Sequence, residues 1–502
     1  METPALLRPR ALTLHPDDNV GVLLADGAAG EVVEVAGARY ELAEDVPGGH
    51  KIALRPLAAG ETVVKYGFPI GRATEAVGRG RWVHDHNLAT GLGDRVAYEY
   101  RPAPPPSPAA PASTFMGYRR KNGRVGTRNE LWVLNTVGCV NRAAERIARL
   151  AHERYAGVID GAHAFAHPFG CSQLGDDLQN TRRVLAGLMR HPNAGAVLVV
   201  GLGCENNQME GLLALAGDLD RERLRFFNSQ EVFHEIETGM EAVDELVGLM
   251  RHDRRTECPA SDLVIGLECG GSDAFSGITA NPLVGRIADR VTGEGGTAIL
   301  SEVPEMFGAE QVLMDRAADE AVFGRIVEMV DAFKDYFVAH GQPIYENPSP
   351  GNKAGGLTTL EEKSLGAIQK GGRAVVTEVL GYCDPATRPG LALLTTPGND
   401  GVSVTAEVAS GATVVLFTTG RGTPLGFPVP TVKISTNTGI YERKPHWIDF
   451  NAGALLDGTA TAEELAEGLW RHILRVSSGE ARTCNEENDV REIAIWKNGV
   501  TL

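Results

Sequence analysis

Gly266-Leu-Glu-Cys-Gly-Gly-Ser-Asp-Ala-Phe-Ser-Gly-Ile-Thr-Ala-Asn281-Pro282 closes an apolar run, Leu263 to Leu267, that reads as a buried strand. A thiol, two glycines, a hydroxyl and a carboxylate then fall between Cys269 and Asp273. Adjacent glycines let a backbone turn sharply and present N–H groups to an oxyanion, while Ser272 and Asp273 suit hydroxyls or a cation. A tight strand–helix turn around an inert thiol would look the same, so recurrence decides.

The design recurs. From Phe115 onward, apolar β-rich runs occur at Leu131–Val137, Ala196–Leu202, Leu263–Leu267, Thr297–Leu300, Ala374–Val379, Leu391–Thr395 and Thr413–Phe417, with a shorter candidate at Ala156–Ile159. Helical segments at Asn141–Tyr155, Asp176–Arg190, Ala309–His340 and Thr461–Val476 lie among them, the last with Thr459 or Thr461 as its cap. This alternation predicts α/β layers with largely parallel sheets. The loops after the strands read Gly138-Cys-Val-Asn141, Gly201-Leu-Gly-Cys-Glu-Asn-Asn207, Cys269–Asp273, Ser301-Glu-Val-Pro-Glu305, Thr396-Pro-Gly-Asn-Asp400 and Thr418-Thr-Gly-Arg-Gly-Thr-Pro424. Ligands bind at the carboxyl ends of strands in such sheets, so an active site is expected there. Neither a Walker A pattern nor a dinucleotide fingerprint is present.

Residues 12 to about 100 read as a small all-β unit of short strands (Val20–Leu24, Glu31–Val35, Ile52–Leu54, Thr62–Val64) between Gly-rich turns. His84 and His86, if in a strand, would share one face as a metal-ligand pair. The expected organisation is an α/β multidomain chain: a β domain over residues 1–100, a Pro/Ala linker over 101–114, an α/β domain over 115–258 and a second over 259–502.

The 502 residues exceed what one core usually supports. A net charge of −17 argues against nucleic acid and anionic membranes, and requires a locally basic pocket for an anionic substrate. No run reaches transmembrane length and the first twenty residues lack a signal-peptide core, so the cytoplasm is the expected compartment. Seven cysteines, an odd number without C-x-x-C, read as reduced thiols rather than a disulfide framework or zinc ribbon. Cys139, Cys171, Cys204 and Cys269 fall in Gly-flanked loops; a metal site built from distant loops, substrate-contacting thiols and small buried residues all remain open.

Taken together, Lys65-Tyr-Gly-Phe-Pro-Ile-Gly71, Val83-His-Asp-His-Asn87, Tyr118-Arg-Arg with Gly123-Arg-Val-Gly-Thr-Arg-Asn129, Gly201-Leu-Gly-Cys-Glu205, Cys269–Gly277, Asn347-Pro-Ser-Pro-Gly-Asn-Lys353 and Thr419-Gly-Arg-Gly-Thr-Pro424 resemble the altronate/galactarate dehydratase family over nearly the whole chain. His84/His86 and Thr396–Asp400 look like its altronate branch. The resemblance implies an SAF-type β-clip domain, two α/β domains, Fe2+ or Mn2+, and conversion of D-altronate to 2-dehydro-3-deoxy-D-gluconate and water. It implies candidate catalytic residues His84, His86, Asp273 and Glu302. Substrate contacts would be Lys65, Arg128, Asn129, Ser272, Asn352, Lys353, Asn399, Asp400, Arg421 and Thr423. The metal candidates are His15, His50, His84, His86, Cys139, Cys171, Cys204 and Cys269, more than one ion needs. A homo-oligomer, with a dimer as the first expectation, acting on a small sugar acid follows. Competing readings are a dehydratase or sulfo-lyase for another 2-hydroxy acid, a sugar-acid sensor without turnover, and a dehydratase with an iron–sulfur cluster on three loop cysteines.

Overall fold

A computed structural model describes residues 10–93, 97–101, 113–217, 219–499 and 501. Most of the expected Pro/Ala linker lies outside the described residues.

The N-terminal unit is built of short antiparallel strands. One sheet orders Ala11–Leu12, Val20–Leu23, Lys51–Ala53 and Trp82–Val83; another orders Thr62–Lys65, Phe68–Ala73 and Leu88–Ala89; Val32–Val35 and Ala38–Glu41 form a hairpin. In Val32–Val35 the alternate residues Val33 and Val35 are buried, as a half-buried strand requires. Tyr66 and Gly67, φ 61° and 76°, make a two-residue turn that matches strand twist.

The chain enters and leaves the middle domain side by side. Thr114–Arg119 pairs antiparallel with Thr256–Pro259, Phe115 opposite Cys258. Between them a parallel sheet orders Gly161–Ala164, Glu130–Asn135, Ala194–Gly201 and Leu224–Asn228. The expected strand at Ala156–Ile159 is only an isolated bridge inside a turn; the strand begins at Gly161. Leu224–Asn228 and the helix Glu235–Met250 were not anticipated.

The C-terminal domain carries seven parallel strands in the order Val376–Leu380, Gly390–Leu394, Thr297–Leu300, Val264–Cys269, Val414–Thr419, Thr431–Ser435, Phe450–Asn451. Thr297–Leu300, Gly390–Leu394 and Val414–Thr419 are buried throughout, as expected of a parallel sheet covered on both faces. The first strand, Val264–Cys269, has its sequence successor on one side and Val414–Thr419 on the other. Its C-terminal end is thus a topological switch point, where the sheet opens a crevice. The expected helix Ala309–His340 is broken at Asp315–Asp319: Glu310–Met314 ends, and Asp319 caps Glu320–Ala339 by accepting the Val322 N–H at 2.8 Å. Thr461 caps Ala462–Ser477 through a reciprocal box with Glu464.

The β unit and the C-terminal domain share one core. Leu57, Val63 and Ile70 belong to the same buried cluster as Phe307, Leu360 and Leu365. Among the described residues no helix is long and apolar enough to cross a membrane.

Candidate active site

The turn after Val264–Cys269 needs its glycines. Gly271 has φ +63°, and a Cβ on Gly270 would run into the Asp400 carboxylate. Across the crevice, a Cβ on Gly420 would strike the Asp273 carboxylate. Asp273 Oδ1 accepts Ser276 N at 2.9 Å and Ser276 Oγ at 3.1 Å, and Oδ2 accepts Thr436 Oγ1 at 3.0 Å and Asn437 Nδ2 at 3.4 Å. Four donors fill a carboxylate's acceptor positions. Asp273, expected as a catalytic residue, is placed by these bonds as an anchor of the turn.

Behind the turn lies a knot of carboxylates at the sheet edge. Oxygens of Glu268, Glu302 and Asp400 lie within 4.8 Å of one another, and so do donor atoms of Cys269, Glu302 and Glu305. Glu302 sits in the left-handed region, φ 64° and ψ 67°, its N–H held by Thr396 Oγ1 at 2.8 Å. A non-glycine residue in this conformation is strained, and such strain clusters at functional sites. Burial pushes the Glu302 carboxyl well up, and the neighbouring Glu268 and Glu305 push it further. Burial would also raise Glu305, but Lys363 at 2.6 Å and Lys370 outweigh it and hold that carboxyl below its usual range. Two carboxyls three residues apart are thereby driven in opposite directions. Burial, then repulsion from Glu268 and Glu305, moves Asp400 to about 7. The Cys269 thiol is pushed up to about 12 by burial; it donates to Glu305 at 3.4 Å and accepts from Lys370 Nζ at 3.0 Å.

Glu268 Oε1, Glu302 Oε2 and Glu407 Oε2 are buried without a hydrogen-bond partner among the described residues. Mutually repelling oxygens of this kind suit a divalent cation of oxygen preference, so Fe2+ or Mn2+ fits the donor set.

The wholly buried helix Leu360–Ala367 connects this knot to the β unit. Glu361 accepts from Thr90 Oγ1 at 2.9 Å and Gly91 N at 2.7 Å. Glu362 bridges Lys51 at 2.8 Å and Lys65 at 2.7 Å. Burial opposes ionisation of Glu362, yet the two lysines hold it down to about 2. The next residue, Lys363, points the other way, to Glu305. Lys65 thus grips the protein's own carboxylate, which corrects its expected substrate contact. His84 Nδ1 lies 3.0 Å from Thr358 Oγ1 on the same connection, its ring 4.7 Å from His50. Burial, then Lys51 and His50, lower His84 to about 4, so its imidazole is neutral. A cavity of about 10 Å3 among Tyr66, Cys269, Ser272, Asp273 and Lys363 joins the domains. That is room for one water at most. A cleft of about 920 Å3, lined by Arg119, Arg120, Arg124 and Arg223, lies elsewhere, but its Asp253 is already bonded to Arg120 and Arg223.

Other expectations divide. Asn352 ties its loop to the turn by donating to Ser272 O at 2.8 Å, while its Oδ1 accepts from Lys363 at 3.2 Å. Arg421 is exposed and reaches only Gly351 O, at 3.4 Å, and neither it nor Lys353 pairs with a carboxylate among the described residues. Both cations border the same loop. Asn399 is an exposed helix cap accepting the Val402 N–H, and Thr423 accepts the Leu425 N–H. Arg128 is buried against Glu486 at 2.7 and 2.9 Å, which ties the middle domain to the C-terminal one, and Asn129 accepts from Arg120 at 2.9 Å within the middle domain. His84 and His86 do not share a face: residues 84–87 form a turn in which His84 is buried and His86 exposed. His15 is exposed beside Gly67, outside either carboxylate group. Cys139, Cys171 and Cys204 belong to the middle domain's sheet edge, not to the Cys269 site.

Glu268, Glu305, Glu362, Lys363, Lys370 and Glu407 were not singled out as site residues. A signal existed for Glu268, a carboxylate inside the otherwise apolar strand Val264–Cys269. Thr359-Leu-Glu-Glu-Lys363 reads as a capped, solvated helix start, and only tertiary packing buries it.

Comparison with known proteins matches three stretches of the chain. Residues 9–91 match the altronate/galactarate dehydratase SAF domain, 117–251 the second domain of D-galactarate dehydratase/altronate hydrolase, and 260–501 the C-terminal domain of D-galactarate/altronate dehydratase. The chain is 53% identical to altronate dehydratase of Escherichia coli (strain K12) over 494 residues, 98% of this chain and 99% of that one. It is 48% identical to altronate dehydratase of Bacillus subtilis (strain 168) over 495 residues, 98% and 99% of the two chains. Identity to galactarate dehydratase (L-threo-forming) of Escherichia coli (strain K12) is 35% over 499 residues, 95% and 94%.

Proposed function

The chain belongs to the D-galactarate/altronate dehydratase family and is a hydro-lyase, and from that premise we propose that it converts D-altronate to 2-dehydro-3-deoxy-D-gluconate and water. The observation that carries the reading is identity of about half over nearly the full length to two altronate dehydratases, against 35% to the galactarate enzyme.

The reaction requires a base for the C2 proton and an acid for the departing C3 hydroxyl. Neighbouring groups whose surroundings drive their pKa values apart are the natural pair. Glu305, kept ionised by Lys363 and Lys370, takes the C2 proton. Glu302, whose pKa is raised by burial and by its acidic neighbours, carries the proton that leaves with the hydroxyl. Arg421 and Lys353 hold the substrate carboxylate, countering the chain's net charge of −17. Glu268 and Asp400, beside Glu302, would hold Fe2+ or Mn2+. When bound, the ion supplies positive charge to stabilise the enolate that forms as C2 loses its proton.

The test is product formation from D-altronate and from galactarate, with metal-free protein and after addition of Fe2+ or Mn2+. Metal-dependent dehydration of altronate is expected. Turnover of galactarate alone would move the chain to the other branch, and equal rates without metal would remove the ion from the reading.

A further inference from the structure

Cys139, Cys171 and Cys204 are exposed, whereas Cys258, Cys269 and Cys383 are buried. Cysteine is among the residue types most often buried, so three exposed ones in a single domain call for a cause. All three follow the C-terminal ends of adjacent strands of the four-stranded sheet. Glu130–Asn135 leads to Cys139, and its neighbours Gly161–Ala164 and Ala194–Gly201 lead to Cys171 and Cys204. The loops are bonded to one another: Gly138 N–H donates to Phe169 O at 2.9 Å, Asn207 N–H to Gly170 O at 2.9 Å and Ser172 N–H to Asn206 Oδ1 at 2.7 Å. Gly170, φ +104°, packs so closely on Thr136 O that no Cβ fits between the first two loops.

We propose that Cys139, Cys171 and Cys204 together hold an iron–sulfur cluster of the [4Fe–4S] type at this edge, separate from the carboxylate site. Soft thiolates select iron–sulfur clusters, Cu(I) or Zn2+ over the hard cations that suit the carboxylates. A disulfide would join two of the thiols and strand the third. Other ligand types in these loops are occupied. Glu205 is held by Leu202 N, Gly203 N and Thr136 Oγ1, and the His167 ring lies 2.9 Å from Asn135 O. Gln230 Nε2 donates to Cys204 Sγ at 3.5 Å, the type of second contact that tunes cluster sulfur. Three protein thiolates leave one iron of a four-iron cluster open to an oxygen donor. The lack of C-x-x-C is no obstacle, because the three cysteine-bearing loops meet at one sheet edge through their own hydrogen bonds rather than through local spacing.

The test uses the full chain, purified without oxygen and reconstituted with equal amounts of Fe2+ and Fe3+ and with sulfide, which supplies the two ferrous and two ferric ions of the cluster without an added oxidant. Visible absorption and assays of iron and acid-labile sulfide should report about four of each per chain. Cys139→Ser, Cys171→Ser and Cys204→Ser should each reduce bound sulfide at least about tenfold with unchanged melting, while Cys484→Ser should retain it. Alkylation mapped by mass spectrometry should modify the three thiols in the metal-free protein and spare them in the loaded one. Wild-type protein that binds no sulfide, that takes up only Zn2+, or whose three variants keep full cluster content would overturn the proposal. Loss of this cluster is read independently of Fe2+ or Mn2+ at the carboxylates, which carries no sulfide.

Discussion

Replacing Glu362 with Gln tests how the β unit is fastened to the catalytic domain. The carboxylate is fully buried between Lys51 and Lys65 and is held at about 2. Moving a carboxyl there from 4.5 corresponds to about 3 kcal/mol. Glutamine keeps the shape but leaves two buried ammonium groups without a counter-charge, and breaking a buried pair in this way costs about 3–5 kcal/mol. A group with a depressed folded pKa contributes stability that is complete above its unfolded value and is lost as pH falls through the folded one. The deficit of Glu362→Gln should therefore be full at pH 7 and close as pH falls from 4.5 toward 2. Lys51, already lowered to about 8 by burial, would lose its proton more readily in the variant. The deficit should then also shrink as pH rises toward about 8 and stay level above it, where wild type releases the same proton. Calorimetric melts across pH, with limited proteolysis to report undocking of the β unit, measure both limbs. Lys65→Met should cost less, because Glu362 keeps Lys51. A variant that melts with wild type at pH 7 would refute this account of the junction.

Asp400→Asn should weaken Fe2+ or Mn2+ binding at least about tenfold at pH 8. In wild type, titration calorimetry should show metal affinity falling as pH drops through about 7, where Asp400 gains a proton, and the variant should lack that slope. Gly420→Ala forces a Cβ onto the Asp273 carboxylate, so kcat/KM should fall on the order of a hundredfold, with about 1–3 kcal/mol lost in stability; normal kinetics would show the crevice to be looser than described. Arg421→Lys should raise KM about ten- to hundredfold with a milder fall in kcat, because a point charge attracts but loses the planar fork. Its Tm should not move, since Arg421 makes no ion pair among the described residues; a lower Tm with unchanged KM would make it structural.

Most strands of the parallel sheets were legible as apolar runs, whereas Leu224–Asn228 and Thr431–Ser435, interrupted by Arg225 and Lys433, were not, and the site's edge was legible because its loops concentrate Gly, Cys, Asp and Glu. What escaped depends on tertiary packing. Thr359–Lys363 carries the charge pattern of a solvated helix start, yet the β unit covers it and turns Glu362 and Lys363 into buried bridges. His84 and His86 fit period-two strand spacing, but Asn87 folds the segment into a turn, its Oδ1 accepting His84 N at 2.9 Å. Asp85 and Asn87 are turn formers, so that signal was present and outweighed by the attraction of a histidine pair. Arg128 lies in a motif of the resemblance, but its partner Glu486 is far along the chain and no local pattern announces it.

The most direct measurement is the steady-state rate of 2-dehydro-3-deoxy-D-gluconate formation from D-altronate by wild-type protein and by Glu302→Gln. Wild type should turn over, and the variant should be slower by about a hundredfold or more with its fold intact, since glutamine cannot supply the proton. No turnover of altronate by wild type, or a full rate in Glu302→Gln, would contradict the account.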